Sequence, residues 1–318
     1  MDTDNPDILA RNVSRYLGFV PLFLRKAFFY GLWRLFYYLS PRHRFIALHN
    51  LIRAFPDKSM AEIIRITKGA YRNLAIVCAE FFDLPKMNRS RLNDLLDIEG
   101  LERAQQALGK KKGLLLFGAH FSNWELMAAA ASALIAPGVM IYRPLDNPFL
   151  ERFVKYVRTS RGNVLVSKKK AMLQMFRCLA KNGVVGVLID QNVSRREGVF
   201  ADFFGRPACT TDGLAQMAIK SETPVMPAFI IRKPDGRYRL IIGKEVEIIR
   251  TGNSEDDIRT NTQRFTSIIE GVIRQYPDQW LWLHQRWKTK EHQVPSSESY
   301  KNNPGKQPEG GWQATRKK

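Results

Sequence analysis

Four short, unbroken apolar runs, separated by stretches of helical periodicity, most narrow the folds open to this chain. Residues 113–118, 138–142, 163–166 and 184–189 are rich in Leu, Ile and Val and too short for helices, which reads as buried strands. Between them, residues 123–135, 148–160 and 170–181 have the length and spacing of helices. Strands that alternate with helices of this length point to crossover connections, and crossovers make neighbouring strands parallel. The expectation is an α/β fold, with a mixed, largely parallel sheet flanked by helices. Upstream, residues 44–83 read as two helices, one carrying Ala47, Leu51, Ile52 and Phe55 and the other Ile63, Ile66, Tyr71, Leu74 and Val77. Pro56-Asp57-Lys58-Ser59 is the expected turn between them. Downstream come a helix near 212–221, a strand at 224–231, a hairpin through Lys233-Pro234-Asp235-Gly236 into 237–248, and a helix near 255–275.

Ligands of open α/β sheets gather at the carboxyl ends of the strands. His120 follows the first run, Arg143 ends the second and Asp190 follows the fourth, so all three can meet at one edge. Gly118-Ala119-His120-Phe121-Ser122-Asn123-Trp124-Glu125 sets a histidine and a carboxylate five residues apart at a strand-to-helix turn. At about 100° per residue, five positions on one helix lie on roughly opposite sides, but a turn leading into a first helical turn brings such a pair together. A histidine oriented by a carboxylate takes a proton from a hydroxyl. Ser122 and Glu125 equally fit a capping box, a purely structural role.

The formal charge of +20 calls for an acidic partner: nucleic acid, anionic lipid, a phosphorylated substrate or an acidic carrier protein. No recognition helix or RNA-binding motif supports nucleic acid. Cys78, Cys178 and Cys209 are an odd number in no metal-ligand spacing, which predicts free thiols and a reducing compartment. Neither a P-loop nor a dinucleotide-binding glycine fingerprint occurs, so the expectation is no metal and no nucleotide cofactor.

The N-terminus opens without a basic n-region, which argues against a cleaved secretory signal. Residues 16–39 are dense in Leu, Phe, Tyr and Trp but are interrupted by Pro21, Arg25, Lys26 and Arg34. A spanning helix wants about 20 apolar residues in a row. The segment is therefore expected to lie in a membrane interface with its basic residues at head groups. An amphipathic helix packed on the protein's own core and a tilted span are the alternatives.

Several separated blocks resemble one family. Gly-Ala-His120-Phe-Ser-Asn-Trp-Glu125 is similar to the His-x-x-x-x-Glu motif of the glycerolipid acyltransferase superfamily, in the form of its lipid A biosynthesis (late, lauroyl- or myristoyl-type) acyltransferase branch. Tyr142-Arg143-Pro144-Leu145-Asp146-Asn147-Pro148, Asp190-Gln191-Asn192 with Gly198-Val199-Phe200 and Phe203-Phe204-Gly205, Pro224-Val225-Met226-Pro227, and residues 279–288 with Trp280, Trp282 and Trp287 resemble its later blocks in order.

The resemblance implies direct attack by an acceptor hydroxyl on an acyl thioester, with acyl carrier protein or acyl-CoA as donor and no further cofactor. His120 is the implied general base and Glu125 its orienting carboxylate. Arg143 is the leading phosphate contact, with Arg158 and Arg161 as further substrate-binding candidates. Asp190 is expected either to orient a substrate hydroxyl or to pair with an arginine. Arg195 and Arg196 fall in an expected loop, and the tryptophans are core or interface residues. The implied acceptor is a lipid A precursor or another phosphorylated lipid, met at the cytoplasmic face of the inner membrane; a lysophospholipid or other glycolipid acceptor, and a non-enzymatic basic lipid- or nucleic-acid-binding protein, are the alternatives. The expected organisation is a membrane-associated N-terminal helical segment over 1–40, an acyltransferase domain over 41–293, and a disordered polar tail over 294–318.

Overall fold

The computed structural model describes residues 6–167 and 171–291; the polar tail and the Lys168-Lys169-Lys170 run lie outside them. The strands are β1 (Leu96–Glu99), β2 (Leu114–Gly118), β3 (Gly138–Tyr142), β4 (Val164–Ser167), β5 (Val184–Leu188), β6 (Gly198–Phe203), β7 (Arg206–Thr211), β8 (Val225–Arg232) and β9 (Tyr238–Ile242). Seven form one sheet in the order β1-β9-β8-β2-β5-β3-β4, and β6 and β7 form a separate antiparallel hairpin. Every neighbouring pair of the large sheet is parallel except β8 with β9. The helices are α1 (Pro6–Leu17), α2 (Leu22–Leu39), α3 (Pro41–Ala54), α4 (Met60–Phe81), α5 (Arg89–Leu95), α6 (Leu101–Gly109), α7 (Trp124–Leu134), α8 (Pro148–Thr159), α9 (Ala171–Ala180), α10 (Gly213–Ser221) and α11 (Ser254–Gln275).

β2 is buried at every position, as a central strand covered on both faces must be, which is why its sequence is continuously apolar. Alternation divides its side chains. Leu115 and Phe117 join a core with Phe265, Ile269 and Ile273 of α11, while Leu114 and Leu116 pack with Ala104 and Ala107 of α6. Trp280, Trp282 and Trp287 are buried in the first of these cores, so the tryptophan-rich segment is interior.

The expected alternation from residue 113 to 189 is present strand by strand and helix by helix. Ser59 starts α4 through a capping box with Glu62, at the foreseen turn. β1 went unforeseen because it is a short edge strand, only partly buried, and so carries no apolar run. β6 and β7 were likewise unread. β9 ends at Ile242 rather than near 248.

The N-terminal segment is helical as expected, in two helices with Pro21 at the N-cap of α2, and it differs from its sequence reading in one respect. Arg25 and Lys26 do not reach outward. Arg25 is buried and donates to the carbonyls of Val20 and Ala79 and to Asp83, and Lys26 pairs with Glu80, so both fasten α2 to α4. The opposite face of α2 exposes Leu24, Phe28, Leu32, Leu35 and Leu39 at helical spacing. Among the described residues, no helix is long and apolar enough to cross a membrane.

Candidate active site

Gly118 and Leu188 are register partners at the carboxyl ends of the parallel strands β2 and β5. His120 and Asp190 each lie two residues beyond them, so the register delivers both to the same level at neighbouring positions, with strands about 4.8 Å apart. The Ile189 N–H still donates to the Gly118 carbonyl at 3.2 Å, which carries the ladder almost to the pair. Gly118 is required by close approach, since a Cβ there would lie 2.6 Å from the Ala228 carbonyl oxygen.

The buried Asp190 carboxylate accepts three hydrogen bonds. His120 Nδ1 donates to Oδ1 at 2.8 Å, and Oδ2 receives the His120 backbone N–H at 3.0 Å and the Trp280 indole N–H at 2.8 Å. This fixes the tautomer, with the proton on Nδ1 and a lone pair on Nε2. The His120 side chain keeps 23% of its surface exposed, while that of Asp190 keeps 2%, so the imidazole is open on one side and its carboxylate partner closed off. Gln191 Nε2 lies 3.5 Å from His120 Nε2, on the side of the imidazole lone pair.

Burial alone would raise the Asp190 pKa. The charge and N–H of His120, with the Trp280 N–H, outweigh it and hold the carboxyl below the usual carboxylate range. A carboxyl lowered in this way stabilises the fold above about pH 4 and loses that contribution as the pH falls through the lowered value.

Glu125 is not the carboxylate on His120. The cap of α7 is Asn123, whose Oδ1 accepts from the Leu126 N–H, and Glu125 in the first turn faces α8 instead. There Arg158 binds it bidentately, Nε to Oε2 at 3.0 Å and Nη2 to Oε1 at 2.6 Å. Burial would lower the Arg158 pKa, but the charge and hydrogen bonds of Glu125, with Glu151, raise it. Glu125 reaches His120 only through Trp124, which donates its indole N–H to Oε1 and packs edge-on against the His120 ring at 5.5 Å. The capping box expected of Ser122 and Glu125 is absent. Ser122 adopts φ 51°, its backbone N–H donates to Gln279, and its buried Oγ has no partner.

The C-terminal segment is joined to this turn. Leu281 N–H donates to the His120 carbonyl, and Phe121 bridges Trp280. Asn123 Nδ2 donates to Glu80 at 2.8 Å, tying the turn to α4. Sequence reasoning missed Asp190 as the partner of His120 and gave Trp280 no role at the site. Two signals were available: Asp190 ends a run parallel to the one before His120, and Trp280 begins a dense tryptophan cluster. The arginines do not converge on His120. Arg143 stands exposed after β3, with Asp146 3.9 Å away, and Arg158 is committed to Glu125. Arg161 lies half-buried past α8 with an unpartnered, buried Nε.

A hydrogen-bonded Asp-His pair with one imidazole nitrogen open is general-base geometry. Residues 7–289 match the family model described as bacterial lipid A biosynthesis acyltransferase. The chain belongs to that family. This acyltransferase is 29% identical over 268 residues to the Escherichia coli K12 "Lipid A biosynthesis lauroyltransferase", covering 84% of this chain and 86% of that protein. It is 29% identical over 251 residues to the "Lipid A biosynthesis palmitoleoyltransferase" of the same strain, covering 78% of this chain and 80% of that protein. Similarity extends to a "Phosphatidylinositol mannoside acyltransferase" of Mycolicibacterium smegmatis, at 26% over 231 residues, covering 71% and 72% of the two chains. Of the acyltransferase's ordered motifs, the His120 turn, the Asp190-Gln191 turn and the Trp280 segment meet at this site, whereas Arg143 stands apart from it.

Proposed function

We propose that this acyltransferase moves a fatty acyl chain from the thioester of acyl carrier protein to a hydroxyl of a lipid A precursor at the cytoplasmic face of the inner membrane. The observation that carries the reading is His120 held by Asp190 with Nε2 open, in a chain of this family. His120 Nε2 takes the proton as the acceptor oxygen attacks the thioester carbonyl. Collapse of the tetrahedral intermediate breaks the C–S bond, and the imidazolium returns the proton to the leaving thiolate. No enzyme nucleophile is needed, because the thioester is already activated. Glu125, clamped by Arg158, sets the first turn of α7 and, through Trp124, the His120 ring.

Arg143 is the proposed phosphate contact, since it is 88% exposed and Asp146, its ion-pair partner among the described residues, is itself exposed. Arg161 is a second, with its Nε unpartnered. The relation to phosphatidylinositol mannoside acyltransferases favours one alternative acceptor, another phosphorylated glycolipid. Transfer of labelled acyl groups from acyl carrier protein, and in parallel from acyl-CoA, to a tetra-acylated lipid A precursor tests the proposal. Wild-type membranes should transfer, and His120→Ala and Glu125→Ala, at equal abundance, should lose most activity. Acylation of a phospholipid or mannoside alone would keep the chemistry and reject the acceptor.

The apolar stripe of α2 is the proposed membrane contact. Burying it is non-electrostatic, so binding to vesicles of phosphatidylglycerol and phosphatidylethanolamine should survive 1 M salt, which shortens the Debye length to about 3 Å. The double substitution Leu32→Asp and Leu35→Asp should release the protein. Binding unchanged by that substitution would reject the stripe as the contact.

A further inference from the structure

We infer that His284 is a positioning residue for the acyl transfer, a neutral hydrogen-bond acceptor that pins the turn carrying Asp190 and Gln191 against His120. The inference rests on the reading of His120 as the general base. Asp190 and Gln191 lie past the end of β5, where no strand partner fixes them. The next residue, Asn192, is held from two sides. Its backbone N–H donates to His284 Nε2 at 2.8 Å, and its side chain exchanges hydrogen bonds with Thr289, Nδ2 to Oγ1 at 3.0 Å and Oδ1 from the Thr289 N–H at 3.1 Å. A shift of this turn moves the carboxylate that sets the His120 tautomer together with the amide beside Nε2.

His284 is itself rigidly placed. Asn50 Nδ2 donates to its carbonyl at 2.7 Å and to that of Trp282 at 2.8 Å, and the Arg286 N–H donates to the same His284 carbonyl at 2.9 Å. An Nε2 that accepts a backbone N–H must be unprotonated, so the proton sits on Nδ1. Burial, with the nearby charges of Arg286, His120 and Lys288, pushes the His284 pKa down to about 4 against the pull of Asp190. The latch is therefore intact throughout the neutral range. A lysine or arginine here has no acceptor to offer, and an aliphatic residue leaves the Asn192 N–H unpaired.

The test compares full-length His284→Phe, which keeps bulk and removes the acceptor, with His284→Gln, whose Oε1 can replace Nε2. Acyl transfer is followed as kcat and KM for both substrates, with thermal unfolding in detergent as the measure of folding. His284→Phe should lower kcat about 10- to 100-fold, the scale of an ångström-sized misplacement, with KM changed less than about threefold. His284→Gln should recover most of that loss. In an Asp190→Asn background, adding His284→Phe should cost less than about threefold, because both act on one pair. Equal kcat for His284→Phe and wild type would overturn the inference. So would a loss that parallels unfolding, is not rescued by Gln and is undiminished in the Asp190→Asn background. If His120→Ala retains full activity in the same assay, the general-base reading fails first and the inference with it.

Discussion

An Asp190→Asn enzyme is expected to lose about 10³- to 10⁴-fold in kcat, with little change in KM for the acyl donor. Three donors converge on this carboxylate: the His120 imidazole, the His120 backbone and the Trp280 indole. An asparagine of the same shape can accept with one atom only and presents an NH2 where the other oxygen was. If its oxygen faces Trp280 and the His120 backbone, the amide N–H2 faces Nδ1, and the imidazole must move its proton to Nε2, where it can no longer act as a base. The same substitution should leave much of the fold intact, so acyl transfer and thermal unfolding are measured together. Activity within tenfold of wild type would remove Asp190 from the mechanism and return the orienting role to the question of Glu125.

The second large effect concerns stability. Arg158→Met should destabilise the protein by about 3–5 kcal/mol, because Glu125 keeps only 9% of its side-chain surface and would be left without its cation. Combining it with Glu125→Gln should restore most of the loss, since the cost lies in the uncompensated charge rather than in the absence of a pair. Thermal or urea unfolding in detergent measures both. A single variant as stable as wild type would mean that the 28% exposure of Arg158 lets water reach the carboxylate and screen it.

The two predictions together separate what one motif seemed to join. His120 and Glu125 lie five residues apart, and the spacing suggested a direct contact. Helix α7 begins at Trp124 under an Asn123 cap, and from its first turn Glu125 points to α8. The contact passes through the indole of Trp124 instead. The N-terminal helices carry a comparable lesson. Arg25 and Lys26 interrupt an apolar segment, and they do so because they are bolts to α4, leaving a cleaner apolar stripe outside than the sequence by itself suggests.

Residues in the sequence determined the α/β alternation, the strand-to-helix turn that carries His120, the helical pair upstream and the family, because these depend on local periodicity and on motifs in order along the chain. β1 and the β6–β7 hairpin were not legible in it: β1 is an edge strand, buried on no continuous face, and leaves no apolar run. Only the tertiary structure decided which carboxylate serves His120. Asp190 lies seventy positions away, and it arrives because β2 and β5 pair in parallel with Gly118 opposite Leu188. Register is a property of two strands packed side by side, and a one-residue slip would carry Asp190 to the other face of the sheet. The same holds for Trp280, which closes the site from the far end of the chain by hydrogen bonds no local pattern encodes.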